Sequence, residues 1–417
     1  MQLTVIADDL SGAVEAAGAL GPASKLLRDP SAASAFASST APLVVDTDSR
    51  SLTPAAAEAR ARSVLDALST RPGLLVKKID SQLRGNIATE LRPLAARGRI
   101  VMTSAAPSLG RTVRAGRPLV GGEPLATTAA WQREGTEAPE HLQHVTGDLT
   151  TTSIHLDELR ALSTPWALGR RLTQLAETYE CILVDAETAT DLARLALGIL
   201  NVATPVTAAG AADLARALAA AQRETSTAEA DHRSPTPPLR ALDSRPVAVV
   251  VGSPEPNALA QVEALRAAGA TITRLDPREA TVPVKPASSI WVLQADPVAT
   301  VHDRPGYARA FAKACASALA DHDLVLTGGE TAGAFLDELR ITTLTDPRPV
   351  HDSDGRPEPG IVTMRGADGR LIATKPGSFG GPSALLNATT AIQRRASAMP
   401  MNTANPAAND HNERWLP

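Results

Sequence analysis

The sequence predicts an α/β protein of two domains, each a mostly parallel sheet with flanking helices, with a ligand cleft between them. The first observation is a repeated pattern in the N-terminal half, where a short apolar run ends in a polar cluster and a helical stretch follows. The second is a similar order of strand, glycine turn and helix in the C-terminal half. The third is the length of 417 residues, which suits two domains of ordinary size.

Five apolar runs in the N-terminal half have the length and composition of buried parallel strands. They are Leu3–Ala7, Leu43–Val45, Leu74–Val76, Ile100–Met102 and Cys181–Val184. Polar clusters follow them at Asp8-Asp9, Asp46–Arg50, Lys77–Ser81, Thr103-Ser104 and Asp185–Glu187. One strand-end Asp is often only a helix cap, whereas five polar strand ends in succession predict a ligand site at the carboxyl edge of the sheet.

The domain boundary is predicted where the sequence loses its periodicity. Residues 223–245 are rich in Pro, Ser and charged side chains, which indicates a linker. We therefore expect one domain over residues 1–222 and a second over residues 246–392. Strands of the second domain are predicted at Val247–Val251, Ile290–Leu293 and Leu324–Leu326. Residues 393–417 are polar and irregular, and we expect a mobile tail there.

The composition argues against several classes of protein. Aromatic residues make up 2% of the chain and the formal net charge is -4, so we expect no nucleic-acid partner. The two cysteines, Cys181 and Cys315, lie far apart, which argues against a disulfide framework or a structural zinc site. Asp8 and Asp9 interrupt the first apolar run, and we expect neither a secretory signal nor a membrane span. A cytoplasmic protein is the resulting expectation.

The first chemical motif is the pair of acids in Ala7-Asp8-Asp9-Leu10-Ser11-Gly12. Paired carboxylates at a strand end can accept hydrogen bonds from hydroxyl groups, hold magnesium, or take a proton from a nucleophilic hydroxyl. The alternative is an Asp that caps the following helix beside a solvated neighbour. The chemistry of the residues alone does not separate these two interpretations.

Charged groups crowd a second motif, Lys77–Asn86, which includes Lys78, Asp80, Ser81 and Arg84. The helix macrodipole disfavours cations at a helix start, so the motif indicates an anionic ligand at that position. A solvated surface turn is the alternative. Further along the chain, Arg111 follows a Pro-Gly turn, and its guanidinium could pair with a carboxylate. An ordinary surface arginine is the commoner outcome for such a residue.

Three glycine-containing turns fall in the C-terminal half. They are Gly252-Ser253, Gly328-Gly329-Glu330-Thr331 and the loop Lys375–Pro382, which includes Gly377. Glycine lets backbone N–H groups approach a phosphate closely, and a helix N-terminus favours an anion. The GxxxxGK[ST] pattern of the P-loop is absent, and no GxGxxG follows the first strand of either half. A generic Gly-Gly turn is the alternative for any one of these turns.

Taken jointly, these motifs resemble those of the four-carbon acid sugar kinases, a family that includes threonate, erythronate and 3-oxo-tetronate kinases. The resemblance covers nearly the whole chain up to the tail, and it depends on the order and spacing of all the motifs. The chain departs from the family pattern at Ser108-Leu109, where an aromatic residue is usual. It also departs at Pro376 and Ser378 in the last glycine loop.

The resemblance implies a sugar-acid-binding N-terminal domain and an ATP-binding C-terminal domain. It assigns nucleotide contacts to Ser253, Gly328, Gly329, Glu330, Thr331 and Gly377. It assigns the sugar acid to Asp8, Asp9, Lys78, Asp80, Ser81, Arg84 and Arg111. Of these, Asp8, Asp9 and Arg84 are the expected catalytic residues, with one Asp of the pair accepting the hydroxyl proton.

The expected reaction is transfer of the γ-phosphoryl group of ATP to a terminal hydroxyl of a sugar acid. ATP and Mg²⁺ are the expected cofactors, with no dedicated metal site in the protein, because Mg²⁺ keeps several of its waters. A sensor that binds both ligands without transfer is one alternative, and a nucleotide-cofactor oxidoreductase is another. The expected partners are small molecules, and a homodimer is one candidate assembly.

Overall fold

Strands from both halves of the chain form the framework of the fold. The computed structural model describes residues 2–128, 131–132, 137–226, 245–252, 256–276, 283–296, 304–377 and 379–397. In chain order the strands are β1 (Leu3–Ala7), β2 (Lys25–Leu27), β3 (Leu43–Asp46), β4 (Leu74–Lys78), β5 (Arg99–Thr103), β6 (Arg111–Arg114), β7 (Arg117–Val120), β8 (Glu123–Pro124), β9 (Thr151–Ile154), β10 (Cys181–Val184), β11 (Val206–Gly210), β12 (Val247–Val251), β13 (Thr271–Leu275), β14 (Ile290–Ala295), β15 (Asp323–Thr327), β16 (Thr343–His351), β17 (Pro357–Gly366) and β18 (Leu371–Lys375).

Helices connect most of the parallel strands. In chain order the α-helices are α1 (Leu10–Leu20), α2 (Pro54–Ala67), α3 (Ile87–Ala95), α4 (Leu156–Ala161), α5 (Pro165–Thr178), α6 (Ala189–Leu200), α7 (Ala212–Ser226), α8 (Pro256–Ala267), α9 (Arg304–Cys315), α10 (Gly329–Glu338) and α11 (Ala384–Ser397). Several begin with a side-chain cap, as Thr53, Thr164 and Thr188 do for α2, α5 and α6. Across the described ranges, each helix is too short or too polar to cross a membrane.

Within the described residues, one mixed sheet contains fifteen strands in the order β13-β14-β12-β15-β18-β17-β16-β2-β3-β1-β4-β11-β5-β10-β9. Neighbouring strands run parallel except at the ladders β2–β16, β16–β17 and β17–β18. Strands β1, β12, β15 and β18 are buried along their whole length, as expected for strands covered on both faces. A small antiparallel sheet of β6, β7 and β8 lies apart from the main one.

The short strand β2 joins the two halves of the sheet. It pairs parallel with β3 and antiparallel with β16, so that Leu26 lies between Val44 and Leu344. Helix α1 crosses the same junction, where a Cβ atom on Gly18 would lie 2.8 Å from Val362 Cγ2. The predicted α/β class and mostly parallel sheet are confirmed. The sequence predicted one sheet in each half. Instead, the backbone groups at the edges of β2 and β16 pair with each other and make one continuous sheet.

The predicted strands are all present, each at its predicted position or longer by one or two residues. Helix α7 runs to Ser226, which extends it into the segment predicted as a linker, and residues 227–244 lie outside the described residues. Helix α11 runs to Ser397, into the segment predicted as a mobile tail. Residues 398–417 also lie outside the described part of the chain.

The strand order determines which loops meet. Strand β1 runs parallel to both β3 and β4, so the segments after Ala7, Asp46 and Lys78 leave the sheet at one edge. Strand β15 likewise runs parallel to both β12 and β18, so the segments after Val251 and Thr327 leave together with the one after β18. Two clusters of strand ends result, one in each half of the chain.

Candidate functional site

One guanidinium binds both carboxylates that follow β1. Arg50 Nε and Nη2 donate to the two oxygens of Asp8 at 2.7 and 3.1 Å, and Nη1 and Nη2 each donate to an oxygen of Asp9 at 2.9 Å. Burial raises the pKa of Asp8, but Arg50 and Lys77 outweigh it and hold that pKa below its ordinary value. Asp9 also caps α1, because its Oδ1 accepts a hydrogen bond from the Gly12 N–H at 3.0 Å.

A second acid and arginine pair follows β4. Arg84 Nε and Nη2 donate to Asp80 Oδ2 and Oδ1 at 2.6 and 3.1 Å, which is a two-point contact. Burial raises the pKa of Asp80, yet Arg50 and Arg84 hold it well below its usual range. The carboxylates of Asp8, Asp9 and Asp80 therefore share one network of arginines.

Three further side chains belong to this first cluster. Arg111 donates through Nη1 to Ser81 Oγ, and burial lowers the pKa of the guanidinium. Lys78 Nζ donates to the Ile79 carbonyl at 3.0 Å and lies 3.8 Å from Glu15 Oε2. Burial also raises the pKa of Glu15. The first cluster thus combines several cations with a similar number of carboxylates, and most of these charges pair with one another.

A buried ion pair, Lys77 with Glu90, is connected to the first cluster through Ser49. Lys77 Nζ lies 3.1 Å from Glu90 Oε2, at an angle outside that of a hydrogen bond, and both side chains are 1% exposed. Glu90 Oε1 accepts the hydroxyl hydrogen of Ser49, which precedes Arg50. A lone buried charge is costly, so each partner of this pair requires the other.

The second cluster is centred on the glycine turn before α10. Gly328 has a φ of 89°, in the region that favours glycine, and its N–H donates to the Lys375 carbonyl at 2.8 Å. Thr331 lies so close to Gly252 that a Cβ atom there would be 2.1 Å from Thr331 Oγ1. Glu330 is exposed in the first turn of α10, where a carboxylate suits the helix dipole.

Two buried side chains, Lys375 and Gln261, bind the backbone carbonyls of the loop after β18. Lys375 Nζ donates to the carbonyls of Pro376, Gly377 and Phe379 at 2.9, 3.0 and 2.8 Å. Gln261 Nε2, from α8, donates to the carbonyls of Phe379, Gly380 and Gly381 at 3.2, 3.2 and 2.9 Å. Burial lowers the pKa of Lys375 to about 8 against the attraction of Glu358. Lys375 therefore shapes the loop through its backbone carbonyls.

The two clusters meet. A Cβ atom on Gly329 would lie 2.8 Å from Ser11 Oγ and 3.9 Å from Asp9 Oδ2. The N-termini of α1 and α10 therefore approach each other, since Ser11 and Gly329 belong to their first turns. The Arg111 guanidinium lies 6.0 Å from the centre of the Phe379 ring, so the loop after β18 also reaches the first cluster.

The structure places the residues predicted for the sugar-acid side in the first cluster. Gly328, Gly329, Thr331 and Gly377 lie in the second, with Glu330 at its edge, and Ser253 lies outside the described residues. Reasoning from sequence missed Arg50, although it ends the polar cluster after β3 and the parallel pairing of β1 with β3 would have pointed to it. It also missed Glu15, Gln261 and the loop-shaping role of Lys375, which depend on contacts between distant segments.

The described residues contain no group of three or more His, Cys, Asp or Glu side chains that could hold a metal ion. Both cysteines are buried, and burial raises the pKa of each thiol to about 12.

Comparison with known proteins shows which family this chain belongs to. A family model described as a sugar-binding N-terminal domain matches residues 3–218, which contain the whole first cluster. The N-terminal half of the chain therefore belongs to this family of α/β domains. It is 31% identical to a D-threonate kinase of Cupriavidus necator, over 94% of this chain and 98% of that protein. It is 30% identical to a 3-oxo-tetronate kinase of Methylobacterium radiotolerans, over 91% and 97%. The chain belongs to the four-carbon acid sugar kinase family.

Solved structures share the fold. A Salmonella typhimurium protein superposes with a TM-score of 0.73 at 20% identity, covering 94% of this chain and 99% of the other. A Haemophilus influenzae protein superposes with a TM-score of 0.68 at 19% identity, covering 93% and 99%. The arrangement of strands and helices in this chain is thus the one found in these two solved structures.

Replacing Arg50 with Gln should destabilise the protein by on the order of 3 kcal/mol, because it leaves the buried Asp8 carboxylate without its main partner. The loss should shrink as the pH falls and Asp8 becomes protonated, since its pKa is lowered in the folded state. Chemical denaturation at two pH values measures both effects. Arg92→Gln is the matched control, because its side chain is 52% exposed and its ion pair with Glu58 is a surface one. Equal stability of the two variants would contradict the account.

Proposed function

We propose that the protein is an ATP-dependent kinase that phosphorylates a terminal hydroxyl of a four-carbon sugar acid. The observation that carries the proposal is the approach of Gly329 to Ser11 and Asp9, which unites a glycine turn and an acid in one place. Relatives that align over nearly the whole chain are D-threonate and 3-oxo-tetronate kinases, so the substrate class is threonate, erythronate or a 3-oxo-tetronate.

The first cluster would bind the sugar acid. Arg84, Arg111 and Lys78 supply positive charge for a carboxylate, and Asp80 and Ser81 supply acceptors for hydroxyl groups. Arg111 is suited to the carboxylate because its guanidinium is partly desolvated, which strengthens a two-point contact with an anion.

The second cluster would bind ATP. The backbone N–H groups of Gly329, Glu330 and Thr331 would receive the phosphates, because that of Gly328 already donates to the Lys375 carbonyl. Gly377 and Ser253 would flank the nucleotide. Residues 1–222 and 246–392 would then act as two domains, with the ligands in a cleft between their strand ends. Movement of one domain toward the other would exclude water from the reacting groups.

Asp9 is the better candidate than Asp8 for the acid that receives the hydroxyl proton. Arg50 binds both oxygens of each carboxylate, but Asp8 is only 2% exposed. Asp9 is more exposed and faces the glycine turn. Asp8 and Arg50 would then position Asp9, and Arg84 would compensate the charge on the transferring group.

The proposed reaction transfers one phosphoryl group to the sugar acid and one proton to the protein. The acceptor hydroxyl oxygen forms a bond to the γ-phosphorus, the bond from that phosphorus to the β–γ bridging oxygen breaks, and ADP leaves. The hydroxyl proton passes to an oxygen of Asp9. The protein's contribution is mainly the alignment of the two substrates.

The donor set near the glycine turn fits Mg²⁺, which uses one or two carboxylates together with phosphates and waters. Glu330, which is exposed in the first turn of α10, is the carboxylate that would hold it, because Asp9 is bound by Arg50 and receives the hydroxyl proton. When bound, Mg²⁺ neutralises the negative charge of the phosphates.

The proposed activity predicts ADP release that depends on a sugar acid. A coupled assay with ATP and Mg²⁺ should detect turnover with at least one of D- or L-threonate, D- or L-erythronate and the 3-oxo-tetronates. Asp9→Asn should lower kcat by about a hundredfold or more, because it removes the proton acceptor. Asp148→Asn, whose side chain is 97% exposed in the wild type, should leave kcat unchanged. If the wild type turned over none of these sugar acids, the result would count against the substrate class. Full turnover by Asp9→Asn would reject the role of Asp9.

The affinity for ATP should weaken by about fivefold above pH 8, since deprotonation of Lys375 removes its charge from three loop carbonyls. Global unfolding does not explain such a loss. The folded protein releases this proton near pH 8 and the unfolded chain near 10.5, so the Lys375 contribution to stability rises with pH over that interval. Calorimetric titration of a non-hydrolysable ATP analogue on either side of pH 8 measures the effect. Lys375→Arg keeps its charge and should give a flat profile, and identical profiles for both proteins would refute the prediction.

A further inference from the structure

Arg28 connects the two halves of the chain directly beside the glycine turn. It follows β2, the strand that joins the halves of the sheet, and its N–H donates to the Thr342 carbonyl at 2.8 Å, next to β16. Its side chain is 7% exposed, although it carries a full charge. A buried arginine at this junction requires partners, and the guanidinium donates hydrogen bonds to three acceptors of the C-terminal half.

The Arg28 guanidinium contacts the middle and the end of α10. Nη2 donates to the Gly333 carbonyl at 3.3 Å, and Nη1 donates to Asp337 Oδ1 at 2.9 Å and to the Ile341 carbonyl at 3.4 Å. These three acceptors span the second half of the helix and the residues just after it. Arg28 also faces Asp46 and Asp48, and its charge lowers the pKa of both against the larger effect of their burial.

The position of Gly333 in α10 is coupled to the position of the glycine turn, because both belong to one helix. Gly333 lies one turn after Gly329, about 6 Å along the axis at the usual rise per residue. A helix of this length moves as a rigid unit, so a shift at Gly333 displaces Gly329 as well. Gly329 in turn faces Ser11 and Asp9 at the start of α1.

We propose that Arg28 is a positioning residue that holds α10, and with it the phosphate-binding turn, in register with the acid pair at the end of β1. The inference rests on the proposed function, because it assumes that the turn from Gly328 to Thr331 receives phosphates. Arg28 touches neither substrate in this proposal. Its effect reaches the reaction through the placement of α10 alone.

The proposal predicts an effect on the nucleotide that is larger than the effect on the sugar acid. In Arg28→Met, kcat/KM for ATP should fall at least about tenfold, because a misplacement of the turn weakens every phosphate contact. KM for the sugar acid should stay within about twofold, because Arg84, Arg111 and Lys78 keep their partners. Arg28→Lys should be intermediate, since a lysine keeps the ion pair with Asp337 without the planar fork that reaches the two carbonyls.

Two further variants keep the test decisive. Asp337→Asn removes the negative charge that pairs with Arg28 at a side chain that is 73% exposed, so it should fold and still weaken nucleotide binding in the same direction. Arg62→Met is the matched control, because Arg62 is 55% exposed on α2 and pairs only with Glu58 among the contacts described for it. It should change neither constant.

Direct binding separates this proposal from the proposed function. Calorimetric titration with a non-hydrolysable ATP analogue and Mg²⁺ should show about tenfold weaker binding by Arg28→Met than by the wild type. A wild type that binds the analogue but phosphorylates none of the sugar acids would count against the proposed substrate class and leave the role of Arg28 supported. Arg28→Met and Asp337→Asn with wild-type nucleotide affinity, whatever their melting temperatures, would overturn the proposal.

Discussion

The contact of Arg50 with Asp8 and Asp9 is the interaction on which the first cluster depends. Asp8 is buried, and a buried carboxylate is unstable as an anion unless a cation lies against it. Arg50 provides that cation, and its remaining N–H groups hold Asp9 at the start of α1. Since Arg50 itself is supported through Ser49 and the buried pair of Glu90 and Lys77, a change in any of these groups reaches Asp9.

The continuity of the sheet is the constraint that sets the position of the second cluster. Strand β2 is only three residues long, yet it closes the gap between β3 and β16 and so places the strand ends of both halves next to α1. Helix α1 packs against both halves, and its first turn faces the first turn of α10. Packing of these elements, more than any single hydrogen bond, brings a glycine turn near an acid that lies more than three hundred residues earlier in the sequence.

Much of the fold follows from local patterns. The apolar runs predicted the parallel strands because buried strands need apolar side chains on both faces, as in Leu3–Ala7 and Val247–Val251. The motifs around Asp8, Lys78 and Gly328 followed from the rule that strand ends carry ligands. The joining of two sheets through β2 could not be predicted, since Lys25–Leu27 is too short to give a pattern. The roles of Arg28 and Gln261 were also beyond reach, because each depends on carbonyls of a distant segment that no residue type reveals.

The turnover of Gly329→Ala tests most directly whether the glycine turn and the acid pair form one reaction centre. The added methyl group would lie 2.8 Å from Ser11 Oγ, so either this hydroxyl rotates away or one of the two helix starts moves. We predict that kcat falls by about a hundredfold while KM for the sugar acid changes little, and that adding Ser11→Ala recovers much of the loss. Wild-type turnover by Gly329→Ala would contradict the account, because phosphoryl transfer would then not depend on the approach of α10 to α1.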